Sequence, residues 1–227
     1  MEKKIILTVC TMVLLSAYGV CRPGSSKIDK DKQLVAAENW DKSTKSNQKN
    51  AKTHWLEYHG ISQNAFLVDS ILIGIKPSMV RYGLFEDEKE LFASTFMYSP
   101  DSTFYIDMDS YGLEISQGSD GKMEYLGREV DIKVLLVRVI DADSAAIQLM
   151  MCGTSCLPEE AYWDNDTTVS ILGVSYNDDS DKEFPTIWRY NLITKSFVKF
   201  ISNNEVKPNF GNYFEDNRLK KILSSPK

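Results

Sequence analysis

The sequence predicts an all-β fold built mostly from antiparallel strands, and residues 161–200 carry most of that prediction. A turn-forming Asn-Asp-Thr leads there into an apolar, β-branched run at residues 169–174. An acidic loop at 177–183 separates this run from two further apolar runs at 187–192 and 197–201. Strands of about five residues, divided by Asn, Asp, Gly and Pro, are typical of antiparallel β-structure.

An internal repeat is the second observation that supports this fold class. Asp101, Thr103, Ile106, Ser110 and Tyr111 recur as Asp166, Thr168, Ile171, Ser175 and Tyr176, each pair 65 positions apart. Self-similarity at a fixed offset indicates a repeated structural unit, although two unrelated hairpins with common turn chemistry would produce the same pattern. If the repeat is structural, Ile106 and Ile171 are buried in equivalent strands of two successive antiparallel units of four strands each.

The alternation of side chains makes the repeat testable. Neighbouring residues of a strand face opposite sides of its sheet, so Thr103 and Tyr105 should oppose Phe104 and Ile106. The same alternation is expected in the second copy. In both copies, the aspartate that begins the repeat should lie in a turn and accept backbone N–H bonds.

Further strands are expected along the rest of the chain. Ordered structure should begin near His54, and residues 116–121 have the composition of a hairpin loop. The continuous apolar run at 134–137 indicates that a strand at 131–140 is central and buried on both faces. The other expected elements are strands at 65–75, 91–98, 104–108 and 145–151 and a short amphipathic C-terminal helix at 218–223.

Composition and charge narrow the class of protein. The chain has 227 residues, of which 43% are hydrophobic and 11% aromatic, so it can bury a substantial core in one large domain or two small ones. Its net charge of -6 argues against a general nucleic-acid binder, because phosphate binding needs a basic surface.

The N-terminus has the features of an export signal. Lys3 and Lys4 precede an apolar run at 5–15 that is too short to span a bilayer comfortably. Two cleavage sites are open: a small-x-small site at 17–19, which releases a soluble periplasmic protein, or a cut before Cys21. The predicted organisation is a signal peptide at 1–20, a flexible polar tether at 21–52 and a β-propeller-like domain at 53–227.

The arrangement around Cys21 resembles a bacterial lipoprotein signal, because a cysteine directly follows the apolar segment and a polar, flexible run follows the cysteine. Val20 and Tyr18 depart from that pattern, since a small residue and a leucine are usual there. The resemblance implies a lipid on Cys21 and anchoring to the outer membrane.

Three segments resemble known repeat blades. Residues 99–107, 162–173 and 185–195 are similar to blade segments of β-propellers of the TolB and WD40-like type, in which Ser-Pro-Asp forms the turn before a strand. The chain also resembles secreted and lipoprotein families of the Bacteroidetes. The resemblance implies two or more blade-like units and transfers no catalytic residue. A chain of this length is too short for an ordinary closed ring of four or more blades.

Cys152 and Cys156 are the sharpest local feature of the exported chain. Cys10 leaves with the signal peptide and Cys21 is the candidate for lipidation, so these two cysteines remain in an oxidising compartment. We expect them to form a small disulfide loop, with two free buried thiols as the alternative. The C-x-x-C spacing of redox catalysts is absent.

The remaining candidate sites lack the spacing that their chemistry needs. His54 and His59 are five positions apart, whereas a metalloprotease helix places two histidines four apart with a glutamate after the first. The acidic loop at 178–183 lacks the glycine of a calcium-binding EF-hand. Asp107 and Asp109 could form a carboxylate pair on one strand face, but no third acid is placed near them. The sequence therefore predicts no catalytic, cofactor or metal site.

These observations favour a non-catalytic binding or assembly module of the cell envelope, held to the membrane by a lipid anchor. A protein or glycan partner would bind through exposed strand edges and aromatic side chains, and no nucleic acid is expected. The alternatives are an envelope hydrolase with a site built from distant loops and a surface immunity or inhibitor protein. A hydrolase would require a cleft of converging titratable groups, which the other two functions would not.

Overall fold

The computed structural model describes residues 46–177, 182–206 and 212–224, in which two antiparallel sheets, a separate hairpin and several short helices form. In chain order the strands are β1 (Phe66–Ile73), β2 (Ser78–Arg81), β3 (Met97–Tyr98), β4 (Phe104–Asp107), β5 (Leu113–Gln117), β6 (Met123–Arg128), β7 (Ile132–Arg138), β8 (Ala145–Cys152), β9 (Cys156–Asn165), β10 (Thr168–Asn177), β11 (Lys182–Asn191) and β12 (Ser196–Ser202). The prediction of a mostly antiparallel β-protein is confirmed.

The first sheet, sheet A, has five strands in the order β1-β12-β11-β10-β9. Strands β9 to β12 follow one another as a meander, and β1 pairs antiparallel with β12 at the edge. Both faces of the sheet are covered, which explains why β10 reads as a continuous apolar run rather than as an alternating one.

The second sheet, sheet B, has five strands in the order β2-β8-β7-β4-β3. Strand β7 lies between β4 and β8, and its residues Val134, Leu135, Leu136 and Val137 are all buried. The prediction of a central, doubly covered strand is therefore confirmed. The β5–β6 hairpin, whose loop was also predicted, is inserted between β4 and β7 and pairs only with itself among the described strands.

The two sheets have the same topology. Each is a four-stranded antiparallel meander, β3-β4-β7-β8 or β9-β10-β11-β12, extended by one strand beside its last member. The sequence repeat falls on the second strand of each meander, β4 and β10. Ile106 and Ile171 are both fully buried and belong to the same core, while Tyr105 packs on the opposite face of sheet B. The burial of both isoleucines is as predicted, but the two strands differ in length: β4 ends at Asp107, so Ser110 and Tyr111 lie in the turn after it, whereas Ser175 and Tyr176 belong to β10.

The turn before the second strand also differs from the prediction. Asp101 lies in a turn and accepts the backbone N–H of Thr103, as expected. Asp166 also lies in a turn, but there the neighbouring Asn165 accepts the N–H of Thr167. Asparagine and aspartate can both bond to the backbone two residues ahead, so a shift of one position preserves the turn.

Sheets A and B pack face to face around a shared inner core. Sheet B contributes side chains such as Ile106 and Leu136, and sheet A contributes Trp163, Ile171 and Trp188. The indole N–H of Trp163 donates to the backbone carbonyl of Met97 at 2.8 Å, which satisfies the polar end of a fully buried ring and joins the two sheets.

The outer faces of the two sheets are covered differently. Helix α1 (Ser46–His59) lies on sheet A, where Trp55 packs with Tyr162, Leu172 and Ile187. On sheet B, Tyr105 and its neighbours are covered by the chain that follows β2, including Tyr82 and Phe96. Helix α1 begins before His54, inside the range predicted to be a tether.

The chain before β3 is helical where a strand was predicted at 91–98. Helix α2 (Glu86–Phe92) and a 3-10 turn (Ala93–Thr95) leave only the short strand β3. Three acidic residues in the first turn of α2 favour a helix start, and Glu88 accepts the backbone N–H of Phe85. This cap overrides the β-propensity of the apolar residues that follow.

The C-terminus forms the short helix that the sequence predicts. A π-helical segment (Phe214–Leu219) continues into helix α3 (Lys220–Leu223). None of the described helices is long and apolar enough to cross a membrane.

Candidate functional site

A cavity opens at one end of the sandwich, where the inner core between the two sheets reaches the surface. We call it the inter-sheet cavity; its volume is about 520 Å³. Sheet B lines it with Phe104, Leu136 and Ile147, and Tyr190 of sheet A and Leu192 of the turn after β11 line the other side. These side chains belong to or pack against the inner core, so the cavity is an extension of that core that no described side chain fills.

Turns between strands form part of the mouth of this cavity. The turns before β4 and β10 place Asp101 and Asp166 in its lining, so the two copies of the repeat meet at one site. Between β11 and β12, Asn191 accepts the backbone N–H groups of Ile193 and Thr194, and Lys195 adopts a positive φ of 49°.

The charged groups at the mouth differ in the number of hydrogen bonds and ion pairs that they form within the protein. The carboxylate of Asp101 accepts the Ser99 hydroxyl at 2.6 Å and the Thr103 N–H at 3.0 Å, and these bonds lower its pKa. Lys76 and Lys195 also line the cavity, and neither forms an ion pair within the part of the chain that the structure describes. The mouth therefore carries two ammonium groups that form no ion pair there, together with the carboxylates of Asp101 and Asp166, above an apolar interior.

A second group of functional side chains is buried beneath helix α1. Strand β9 has a register shift opposite Leu172 and Gly173, which makes Glu159 an extra residue in the strand. The resulting bulge turns Glu159 and Glu160 toward the same, helix-covered side. Glu159 accepts the Trp55 indole N–H at 2.7 Å, and its Oε2 lies 2.8 Å from His59 Nε2.

Gly173 makes this bulge possible. A Cβ atom at this position would collide with the backbone carbonyl oxygen of Leu157 on β9. The close approach of the two backbones is therefore open only to glycine.

Glu160 belongs to a buried ion-pair network centred on Arg218 of the C-terminal π-helical segment. The Arg218 Nη1 donates to Glu160 Oε1 at 2.7 Å, and its Nε donates to Asp109 Oδ2 at 3.0 Å. Burial alone would lower the pKa of Arg218, but the facing carboxylates of Asp109 and Glu160 raise it above its ordinary value. The Tyr213 hydroxyl also donates to Glu160, at 3.2 Å.

This network links separate parts of the fold. Arg218 is 2% exposed. It joins Asp109, which follows strand β4 of sheet B, to Glu160 in strand β9 of sheet A. Arg128 of the β5–β6 hairpin approaches the other oxygen of Asp109 at 3.7 Å and stacks its guanidinium over Phe214. The charges neutralise one another inside the fold, away from the inter-sheet cavity.

The structure separates Asp107 and Asp109, which the sequence suggested as a pair. Asp107 accepts the Tyr82 hydroxyl at 2.7 Å and the Ser110 hydroxyl, whereas Asp109 pairs with Arg218. Burial raises the pKa of Asp107, opposed by its bonds to Ser110. Each carboxylate thus has its own partners, and the two do not form one site.

The other sequence candidates have clear positions. Cys152 and Cys156 are joined in a disulfide, with their Cα atoms 5.2 Å apart. His54 contacts Tyr213 and His59 contacts Glu159, and no cluster of three or more metal-ligating side chains occurs among the described residues. Cys21 and the predicted signal peptide lie outside the described residues, as does most of the acidic loop at 178–183.

Sequence reasoning missed Glu159, Glu160 and Arg218. A signal was present: two adjacent acids interrupt the otherwise apolar run 156–163, and charges inside a buried strand need partners. The partner could not be identified, because Arg218 is 58 residues from Glu160 and lies in a segment that reads as an ordinary amphipathic helix.

Comparison with protein-family models, with curated proteins and with solved structures finds no match for this chain.

Proposed function

We propose that this protein is an exported, non-catalytic binding module that takes a small amphiphile into the inter-sheet cavity. The observation that carries the proposal is the cavity itself, which continues the inner core to the surface and has the volume of a typical small-molecule site. Its apolar lining suits a hydrocarbon chain or ring. The mouth carries two acids, Asp101 and Asp166, and two lysines, and the lysines, Lys76 and Lys195, form no ion pair within the described residues and so suit an anionic end group on that ligand.

The positions of the titratable groups support binding over catalysis. The most deeply buried acids, Asp107, Asp109 and Asp164, bond to side chains of the fold, and none of them lines the cavity. Of the acids that do line it, Asp101 has a lowered pKa and is held by its own turn. A hydrolase would need a perturbed acid or base facing the ligand.

Binding to the cavity can be tested with N-phenyl-1-naphthylamine, an uncharged dye that fluoresces more strongly in apolar surroundings. Ile193 lines the cavity and is 74% exposed, so Ile193→Asp should block entry without unfolding the protein. Ile140 is equally exposed, at 75%, but does not line the cavity, which makes Ile140→Asp the matched control.

The expected result is saturable dye binding in the wild type and in Ile140→Asp, and weak binding in Ile193→Asp. Competition by a fatty acid, but not by the corresponding alcohol, would support the anionic end group. Equal dye binding in all three proteins, or none in the wild type, would overturn the proposal.

We also infer that the two sheets are blade-like units that pack against each other instead of around a ring. Their shared strand order and the position of the sequence repeat support this. The described residues include two such units, and each unit uses the other to cover its inner face.

We further propose that residues 1–20 direct export and that Cys21 carries the lipid that anchors the protein to the outer membrane. The disulfide between Cys152 and Cys156 is compatible with an oxidising compartment. Radiolabelled palmitate should be incorporated into the wild type and into Cys10→Ala, but not into Cys21→Ala. An unlabelled wild-type protein in the soluble periplasmic fraction would show instead that ordinary signal peptidase releases it.

A further inference from the structure

A second cavity, separate from the inter-sheet cavity, lies on the outer side of sheet B. We call it the outer cleft; its volume is about 730 Å³, and it lies between β7 and the chain from Arg81 to Phe85. It shares no lining residue with the inter-sheet cavity. Its lining combines exposed aromatic rings with charged side chains of both signs.

Two aromatic side chains give the outer cleft exposed apolar surfaces. Phe85 is 77% exposed and Tyr111 is 43% exposed, although rings of this size are ordinarily placed in the core. Tyr111 is presented by a turn in which the next residue, Gly112, has a φ of 91°. The Lys133 ammonium lies 3.3 Å from the centre of the Tyr111 ring and fixes it from one side.

Two carboxylates lie near the other ring, and one of them fixes the backbone of Phe85. The Glu88 carboxylate accepts the backbone N–H of Phe85 at 2.9 Å, which fixes the entry to helix α2. Asp143, on the opposite rim, pairs with Lys89 at 2.8 Å. A carboxylate that has one such bond retains lone pairs for hydroxyl donors of a ligand.

The floor of the cleft is rigid. The Tyr82 hydroxyl donates to the buried Asp107 at 2.7 Å and accepts the hydroxyl of Tyr105 at 3.2 Å. The Ser110 hydroxyl is also bonded to Asp107. The residues that present Phe85 and Tyr111 are therefore anchored on both sides, which lowers the entropy cost of binding.

The charges of the cleft indicate the class of ligand. Arg81 and Lys133 are balanced by Glu88 and Asp143, so the lining favours neither an anion nor a cation. A neutral ligand that has apolar C–H faces and many hydroxyl groups satisfies both the rings and the carboxylates. We propose that the outer cleft binds a neutral oligosaccharide, with sugar rings on Phe85 and Tyr111 and hydroxyl groups on Glu88 and Asp143.

Saturation-transfer difference NMR tests whether the outer cleft binds a sugar. The full exported protein is mixed with maltotriose, cellotriose or chitotriose, each at millimolar concentration. Transfer to the C–H protons of at least one trisaccharide is expected. Phe85→Ala and Tyr111→Ala should each raise its Kd by on the order of tenfold, the loss of one aromatic contact.

Tyr176 provides a matched control. It is the repeat equivalent of Tyr111, it is 38% exposed, and it lies outside the cleft. Tyr176→Ala and Ile193→Asp should leave binding of the trisaccharide unchanged, the second because the two cavities are separate. No transfer to any of the three sugars, or transfer that survives both Phe85→Ala and Tyr111→Ala in folded protein, would overturn the proposal.

Discussion

Sheets A and B have one topology but differ in how their equivalent strands are buried. In β10, eight of the ten residues are buried, and the strand is covered on both faces by apolar groups. In β4, which has four residues, the buried part ends in Asp107, whose partners are hydroxyl groups. Sheet A is thus the more completely enclosed unit, and the outer face of sheet B carries a smaller apolar cluster around Tyr105.

The difference follows from what lies outside each sheet. Helix α1 brings Trp55 and Leu56 onto sheet A, whereas sheet B is covered by loops that leave the outer cleft open. Two copies of one scaffold can therefore have different roles, one in stability and one in surface recognition. Only the segments that cover each sheet have to differ.

The largest expected effect comes from charging the shared core. Ile171→Asp places an unpaired carboxylate in a fully buried site, which costs about 4 kcal/mol or more and should unfold the protein. Ile106→Asp should be as severe, because both residues belong to the inner core. Urea denaturation followed by circular dichroism measures both. A sheet B that stays folded in Ile171→Asp would show that the two units are independent.

Arg218→Leu should have the next largest effect, because it leaves Asp109 and Glu160 buried without their cation. Breaking one side of a buried pair costs about 3–5 kcal/mol. Lys220→Leu is the control on the neighbouring turn, where the ion pair with Asp216 is exposed to solvent and contributes little. Similar midpoints of chemical denaturation for the two variants would contradict a structural role for Arg218 as the link between the sheets.

Gly173→Ala tests the bulge that belongs to sheet A alone. The added methyl group meets the backbone of Leu157, so the two strands must separate, at a cost of about 3 kcal/mol. Gly127→Ala in the β5–β6 hairpin is the control, because no atom lies within 4 Å of its added Cβ. Thermal denaturation of the two variants should show a large decrease in melting temperature only for Gly173→Ala.

Removal of the disulfide should have a smaller effect. The bridge between Cys152 and Cys156 links β8 to β9, the junction between the two sheets, but it closes a very short loop. Chain-entropy arguments then give about 2 kcal/mol for the double alanine variant. Thiol titration of the unfolded, unreduced protein should detect neither Cys152 nor Cys156, and labelling of these two cysteines themselves would rule out the bridge.

The smallest effect is expected at the repeated turns. Asp101→Ala removes the acceptor for Ser99 and Thr103, whereas Asp166→Ala should be nearly neutral because Asn165 has that role in the second copy. The bonds lower the pKa of Asp101 from the ordinary 3.8, so its contribution is present above that pH and is lost as the pH falls further. Thermal melts at neutral and acidic pH should show a difference between wild type and Asp101→Ala only at neutral pH.

Several elements were predictable because their causes are local. Apolar runs divided by turn residues identified β7 and β10, and turn chemistry placed the β5–β6 loop and Asp101. The disulfide was also predictable, since two cysteines four positions apart cannot separate far along the chain. The strand predicted at 91–98 was wrong because a helix cap, formed by Glu88 and Phe85, outweighed residue preference.

Apolar runs and turn residues were enough to predict β7, β10 and the turns beside them, because these signals lie in short stretches of the chain. Which faces pack together depends on contacts between segments far apart in the sequence. The inter-sheet cavity needs the turns of two repeats at one end of a sandwich, and the buried Arg218 needs carboxylates from two sheets. A residue pattern shows that a face is apolar or that a charge needs a partner, but it does not say which distant segment supplies the contact.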